Sequence, residues 1–157
     1  MLTPAQETAV DQIAQASVKC EALTGYPAEI TAAQCIFESA YLSRCPGNNC
    51  FGIKPDNHGS GTQYVLTREF LNGEWEKMPL AFESYGDIAD CFADHARLLQ
   101  SGIYAPGWLV YQQDKDLDKL FQSVAVHYAT DPNYYRNIDA EIHSSTVTNA
   151  LKVARGN

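Results

Sequence analysis

A glutamate set into an apolar helical pattern is the residue of this sequence best placed to do chemistry. Ile30, Ala33, Phe37 and Tyr41 recur at i, i+3, i+7 and i+11, an apolar stripe on a helix that begins near Pro27. Glu38 lies about one helical step off that stripe rather than opposite it, so it is expected to be partly buried. A carboxyl that loses water without gaining a cation holds its proton to higher pH. A proton held near neutrality can be donated to a leaving oxygen.

A clash of like charges draws attention to a second glutamate. The stretch from Gln63 to Phe82 has β-like composition, and Asn72-Gly73 between two such runs signals a two-residue turn of type I′. With that turn, Leu71 pairs with Glu74, Phe70 with Trp75, and Glu69 with Glu76. Phe70 and Trp75 should then pack together, while Glu69 and Glu76 meet as like charges. A sheet tolerates this where its face borders a site that needs a carboxylate. Glu74, Glu76 and Glu83 otherwise read as ordinary surface or strand residues.

Around these residues the periodicity predicts a mainly helical α+β domain with one inserted hairpin lobe. Thr3-Pro4 opens a first helix carrying Ala9, Ile13, Ala16 and Cys20, and Gly25 ends it. Residues 44–61 are rich in Gly, Pro and Asn and read as loop, interrupted by Phe51-Gly52-Ile53. Ile88, Cys91, Phe92, His95, Leu98 and Leu99 mark a helix from near Asp87, and Leu117, Leu120, Phe121, Val124 and Tyr128 another after Asp116. Gly102 to Trp108 reads as a turn-rich loop between them. Asp131-Pro132 starts a last helical segment through Ile138 and Ile142, with Asp131 as its cap. No helix is assigned beyond Ser144.

The 157 residues, 45% hydrophobic and without an internal repeat, suit one compact domain over 1–157. A formal net charge of −8 argues against electrostatic capture of nucleic acid or anionic lipid. No apolar run reaches the roughly 18 to 20 residues of a membrane span, and Met1 to Val10 lacks a signal-like pattern. Five cysteines leave at least one thiol unpaired, and only Cys45 and Cys50, flanking Pro-Gly-Asn-Asn, are close enough in sequence to suggest a disulfide or else two small buried thiols. His58, His95, His127 and His143 lack metal-ligand spacing, and His95 and His127 sit on apolar helical faces as expected of satisfied core histidines. No metal or organic cofactor is implied.

Several strings in order carry a family resemblance. The run from Ala33 to Ser39, then Asn48-Asn49-Cys50-Phe51-Gly52-Ile53-Lys54, Thr67-Arg68-Glu69-Phe70, Phe82-Glu83-Ser84-Tyr85 and Tyr128-Ala129-Thr130-Asp131-Pro132-Asn133-Tyr134 together resemble glycoside hydrolase family 73. That family holds bacterial endo-β-N-acetylglucosaminidases of the autolysin and flagellar-rod type, and the resemblance spans roughly residues 23 to 142. It implies a lysozyme-like fold, peptidoglycan as substrate, an exported protein, Glu38 as catalytic acid and Glu69 as second carboxylate. Glu69 would activate water in an inverting mechanism or be secondary in a substrate-assisted one. Tyr128 and Tyr134 would line the cleft, a phenol positioning the N-acetyl group or stabilising positive charge. Asn48, Asn49 and Phe51 would shape its loop, one of them touching sugar. The chain departs from the family after Glu38, where Ser39-Ala40-Tyr41-Leu42 replaces a Ser-Gly-Trp-Gly-like run. Tyr41 would replace an aromatic wall, and loss of both glycines adds bulk where backbone approaches sugar.

A lytic transglycosylase or a muramidase acting on the same polymer is the alternative enzyme. A non-catalytic wall-binding or secretion-apparatus module is the alternative outside enzymes. Retention of both Glu38 and Glu69 argues against such a module.

Overall fold

The computed structural model of the chain describes residues 1–129 and 131–157; Thr130 of the Tyr128 to Tyr134 string lies outside the described residues. Helix α1 (Pro4–Thr24) opens on a capping box in which Thr3 Oγ1 accepts from Gln6 N while Thr3 N donates to Gln6 Oε1. It ends at Gly25, whose φ of 77° suits glycine. Helix α2 (Ala28–Ser39) has no cap of its own; Glu21 of α1 reaches over and accepts from Ala28 N at 2.7 Å. The same Glu21, with Glu29, binds Arg155, which ties the chain's last helix to the first two.

α2 is the centre of the core. Ile30, Ala32, Ala33, Gln34, Cys35, Ile36 and Ser39 are all buried, because α1 lies along one side of it and α6 and α7 along others. The stripe expected for α2 is corrected at two positions: Phe37 is 44% exposed, and Tyr41 lies beyond the helix, which ends at Ser39. A helix wrapped on nearly every side is apolar on every side, so the stripe does not tell which face opens to solvent.

Strands β1 (Gly61–Leu71) and β2 (Glu74–Ser84) form an antiparallel hairpin with the expected register, including Glu69 opposite Glu76 and Phe70 opposite Trp75. Asn72 and Gly73 both take positive φ, 52° and 84°, as a type I′ turn requires. The Phe70 and Trp75 rings pack at 5.3 Å. The hairpin's base is bonded to the loop after α2, through Tyr85 N to Gly47 O, Glu83 N to Ile53 O, and Gln63 Nε2 to Pro46 O. Its tip stands clear of the helical body.

Helices α3 (Ile88–Leu99) and α5 (Leu117–Tyr128) follow expectation, capped by Asp87 and Asp116. Between them the structure corrects the sequence reading: Gly102–Tyr104 is a 3-10 turn and Ala105–Asp114 is a helix, α4. Pro106 and Gly107 suggest a loop, yet proline costs nothing in a helix's first turn. Helix α6 (Tyr134–Ile142) starts later than expected. Asp131 closes the turn before it, Oδ1 accepting from Asn133 N and its carbonyl from Tyr134 N. A further helix, α7 (Ser145–Ala154), follows its Ser144 cap and packs on α1. Among the described residues no helix is long and apolar enough to cross a membrane.

Candidate active site

The last turn of α2 brings Glu38 to a cavity of about 180 Å³ between the helical body and the hairpin. Arg44, Pro46, Asn49, Cys50 and Gly52 line it from the loop after α2; Val65, Thr67 and Phe82 line it from the hairpin. Burial holds the Glu38 carboxyl above the usual carboxylate range, and the hydroxyl of Tyr134 opposes that shift. Gln34, one helical turn before Glu38, donates from Nε2 to Tyr134 Oη at 2.8 Å. With its lone pair engaged, the phenol's own proton is free to be offered to Glu38.

Tyr134 is buried and stacks on Tyr128, ring centroids 5.5 Å apart and 18° from parallel. Phe37 meets Tyr134 edge-on at 6.0 Å, so an open aromatic face stands beside Glu38. Tyr128 borders a second cavity of about 430 Å³, with Phe51, Lys54, His95 and Tyr104 among its walls. Gly52 lines both cavities, so the two adjoin at the loop.

Alternation along β1 puts Val65, Thr67 and Glu69 on one face of the hairpin. Val65 and Thr67 line the Glu38 cavity; Glu69 lies one step nearer the turn, its Oε1 accepting from Thr67 Oγ1 at 3.3 Å.

The loop residues named from the sequence turn inward. Asn49 is buried, and its amide is saturated: Nδ2 donates to the carbonyls of Ile53 and Glu83, and Oδ1 accepts from Phe51 N and Ile53 N. Asn48 Nδ2 donates to the carbonyls of Tyr85 and Gly86. Phe51 is buried with its face on the His95 ring, at 3.7 Å. These residues build the cleft wall from within. Tyr41 is partly buried in the turn after α2 and does not line the Glu38 cavity. Ala40, Tyr41 and Leu42 all take positive φ, 47°, 58° and 62°. Positions 40 and 42 are where the resembling family's motif has glycine, and left-handed backbone is where glycine is least strained.

Three further readings are corrected. Glu83 is not a surface residue: it is 1% exposed, and its Oε2 accepts from Asp56 N and Asn57 N, clamping the 53–60 loop to β2. His95 is in the core, but neither ring nitrogen has a partner among the described residues, and burial pushes its pKa down to about 3. His127 is exposed and meets Tyr104 edge-on. The fold also gathers what sequence spacing separates: His58 with Asp56 and Asp94, and His143 with Asp118 and Asp139. Arg97 already bridges Asp56 and Asp94, at 2.6 and 2.7 Å.

Gln34, Phe37, Arg44 and Thr67 stand around Glu38, a place the sequence reading does not give them. Gln34 four residues before Glu38, and Thr67 two before Glu69 on a strand, carry a readable signal, since those spacings share a face. Nothing local marks Phe37 or Arg44.

A helical body and a hairpin, with a partly buried carboxyl in the cleft between them, give the chain a lysozyme-like architecture. A family model described as glucosaminidase, mannosyl-glycoprotein endo-beta-N-acetylglucosaminidase, matches residues 14–146, and the chain belongs to that family. It is 30% identical over 130 residues to an autolysin of Enterococcus faecalis, covering 77% of this chain and 18% of that protein. It is 27% identical over 154 residues to a probable N-acetylmuramidase of Lactococcus lactis subsp. lactis, covering 93% of this chain and 35% of that protein. The chain thus spans well under half the length of these relatives. The fold matches the crystal structure of a peptidoglycan hydrolase from Sphingomonas sp. A1 with a TM-score of 0.71 and 22% identity, covering 94% of each chain.

Proposed function

We propose that this chain hydrolyses the glycan strand of peptidoglycan, cutting the β-1,4 bond on the reducing side of N-acetylglucosamine with Glu38 as general acid. The observation that carries this reading is the Glu38 carboxyl, desolvated in the cavity that joins helical body and hairpin. A neutral carboxyl there protonates the glycosidic oxygen as the bond to C1 breaks, and positive charge develops on the sugar ring. Phe37 offers an apolar face to the sugar, and the Tyr128 and Tyr134 phenols border the place where charge develops. Glu69 serves as second carboxylate, activating water from the hairpin side. Residues 1–157 act as one catalytic unit on a substrate outside the cell membrane, which makes this an exported protein.

Mass spectrometry of muropeptides after digestion tests the proposal. A reducing N-acetylglucosamine end is the expected product, and an anhydro end or no product overturns it. The probable N-acetylmuramidase matched over 93% of this chain favours one second reading, cleavage on the other side of the disaccharide. A reducing N-acetylmuramic acid end selects it.

A further inference from the structure

Four of the five thiols converge beneath the end of α2. Cys45 and Cys50 are in contact, Sγ to Sγ 2.8 Å, with Cys35 and Cys91 against Cys50. Cys35 also meets Ser39, the residue after Glu38, and Cys50 N donates to Cys91 Sγ. Cys20 lies apart, bonded to Phe92 O. All five are free thiols.

The segment between Cys45 and Cys50 folds so that the two face each other. Pro46–Asn48 is a 3-10 turn in which Gly47 and Asn48 take positive φ, 58° and 59°. A Cβ on Gly47 would stand 2.5 Å from the Gln63 side chain. Pro46, Asn49 and Cys50 of this segment line the Glu38 cavity, so its geometry is that of the cavity wall.

We propose that Cys45 and Cys50 are a redox pair that closes into a disulfide across the wall of the Glu38 cavity and braces it. The pair divides the labour of thiol–disulfide exchange. Cys45 is partly exposed, and its contact with Cys50, then with Ser39, holds its thiol below the ordinary value, which favours the attacking thiolate. Cys50 is 2% exposed, and its neighbouring thiols and burial push it up, as suits a resolving thiol that reacts only from within. The oxidant is a disulfide, such as glutathione disulfide or an oxidoreductase. Cys45 thiolate attacks one of its sulfurs, forming a mixed disulfide and releasing one thiolate. Cys50 then loses its proton, attacks the Cys45 sulfur and displaces the second thiolate. Two protein thiols are oxidised, and one disulfide is reduced to two thiols.

The test uses the full chain treated with glutathione disulfide or with dithiothreitol. Oxidation should remove two of the five alkylatable thiols, and peptide mapping should link Cys45 to Cys50. The oxidised form should melt several degrees higher, on the order of 5 °C for a short loop in a domain of this size. Its turnover on peptidoglycan should exceed that of the reduced form by roughly two-fold or more. That last comparison alone rests on the glycosidase reading; mapping and melting do not. Cys45→Ser at the more exposed position should abolish all three differences, and it keeps the test sound if Cys50→Ser fails to fold. Five thiols after oxidation, a link to Cys35 or Cys91, or equal melting and turnover in both states overturns the proposal.

Discussion

Gln34, one helical turn before Glu38, donates a 2.8 Å hydrogen bond to the hydroxyl of Tyr134, and both side chains are buried. The phenol is thereby held as a donor toward the carboxyl. A donor stabilises the charged form, so Tyr134 lowers the Glu38 pKa against the larger effect of burial. A general acid works only while protonated, and activity falls as pH rises through its pKa. Tyr134→Phe should therefore move the alkaline limb of the kcat/KM profile to higher pH. An unmoved limb, or one shifted to lower pH, contradicts this role.

Glu38→Gln should cut turnover by roughly 10² to 10⁴-fold, since the amide fills the same space but donates no proton to the leaving oxygen. Its effect on stability has the opposite sign. The folded-state pKa of Glu38 is raised, so its favourable contribution is complete below the unfolded value and is lost as pH rises through the folded one. The variant should melt above wild type at neutral pH, with the gap closing at acid pH. Thermal melts across that range check the sign, and residual activity within tenfold of wild type would remove Glu38 from its role.

Ala40 has a φ of 47°. The left-handed region costs a residue with a Cβ roughly 1 to 2 kcal/mol, which glycine avoids. Ala40→Gly should stabilise the fold by about 1 kcal/mol, less what glycine's freer unfolded chain takes back. Chemical denaturation measures the difference, and a lower midpoint would show that the turn carries no such strain.

Tyr128→Phe keeps the stack on Tyr134 and loses only the hydroxyl. It should lower turnover about tenfold, since the hydroxyl that positions the N-acetyl group or stabilises positive charge is gone, while the melting temperature changes little. Strong destabilisation with unchanged turnover per folded molecule would make the residue structural.

Glu69 shares its strand face with Val65 and Thr67, which line the Glu38 cavity. In a glycan complex its carboxylate should face the sugar opposite Glu38 at roughly the 6.5 to 9.5 Å of an inverting pair. Glu69→Gln should then lose most activity. Near-full activity, or a carboxylate turned away from bound sugar, leaves the substrate's own N-acetyl group as the nucleophile.

Features encoded within a few neighbouring residues follow from the sequence alone. The Thr3-Pro4 helix start, the helical stripes of α3 and α5, and the hairpin register all follow from local rules, the last because Asn72-Gly73 supplies the two positive φ values its turn needs. Glu38 was legible as half-buried because one helical step relates it to its neighbours. Which surfaces meet is set only by the packing of distant segments. Phe37 stays exposed because other helices cover the remaining faces of α2, and α4 packs on α5 with Gly107 against Ser123, where a Cβ would find no room. The saturation of Asn49, the burial of Glu83 and the unpartnered His95 depend on groups tens of residues away. Periodicity tells a residue's face but not what covers it, because burial is set by contacts between distant segments, whose partners no local spacing records.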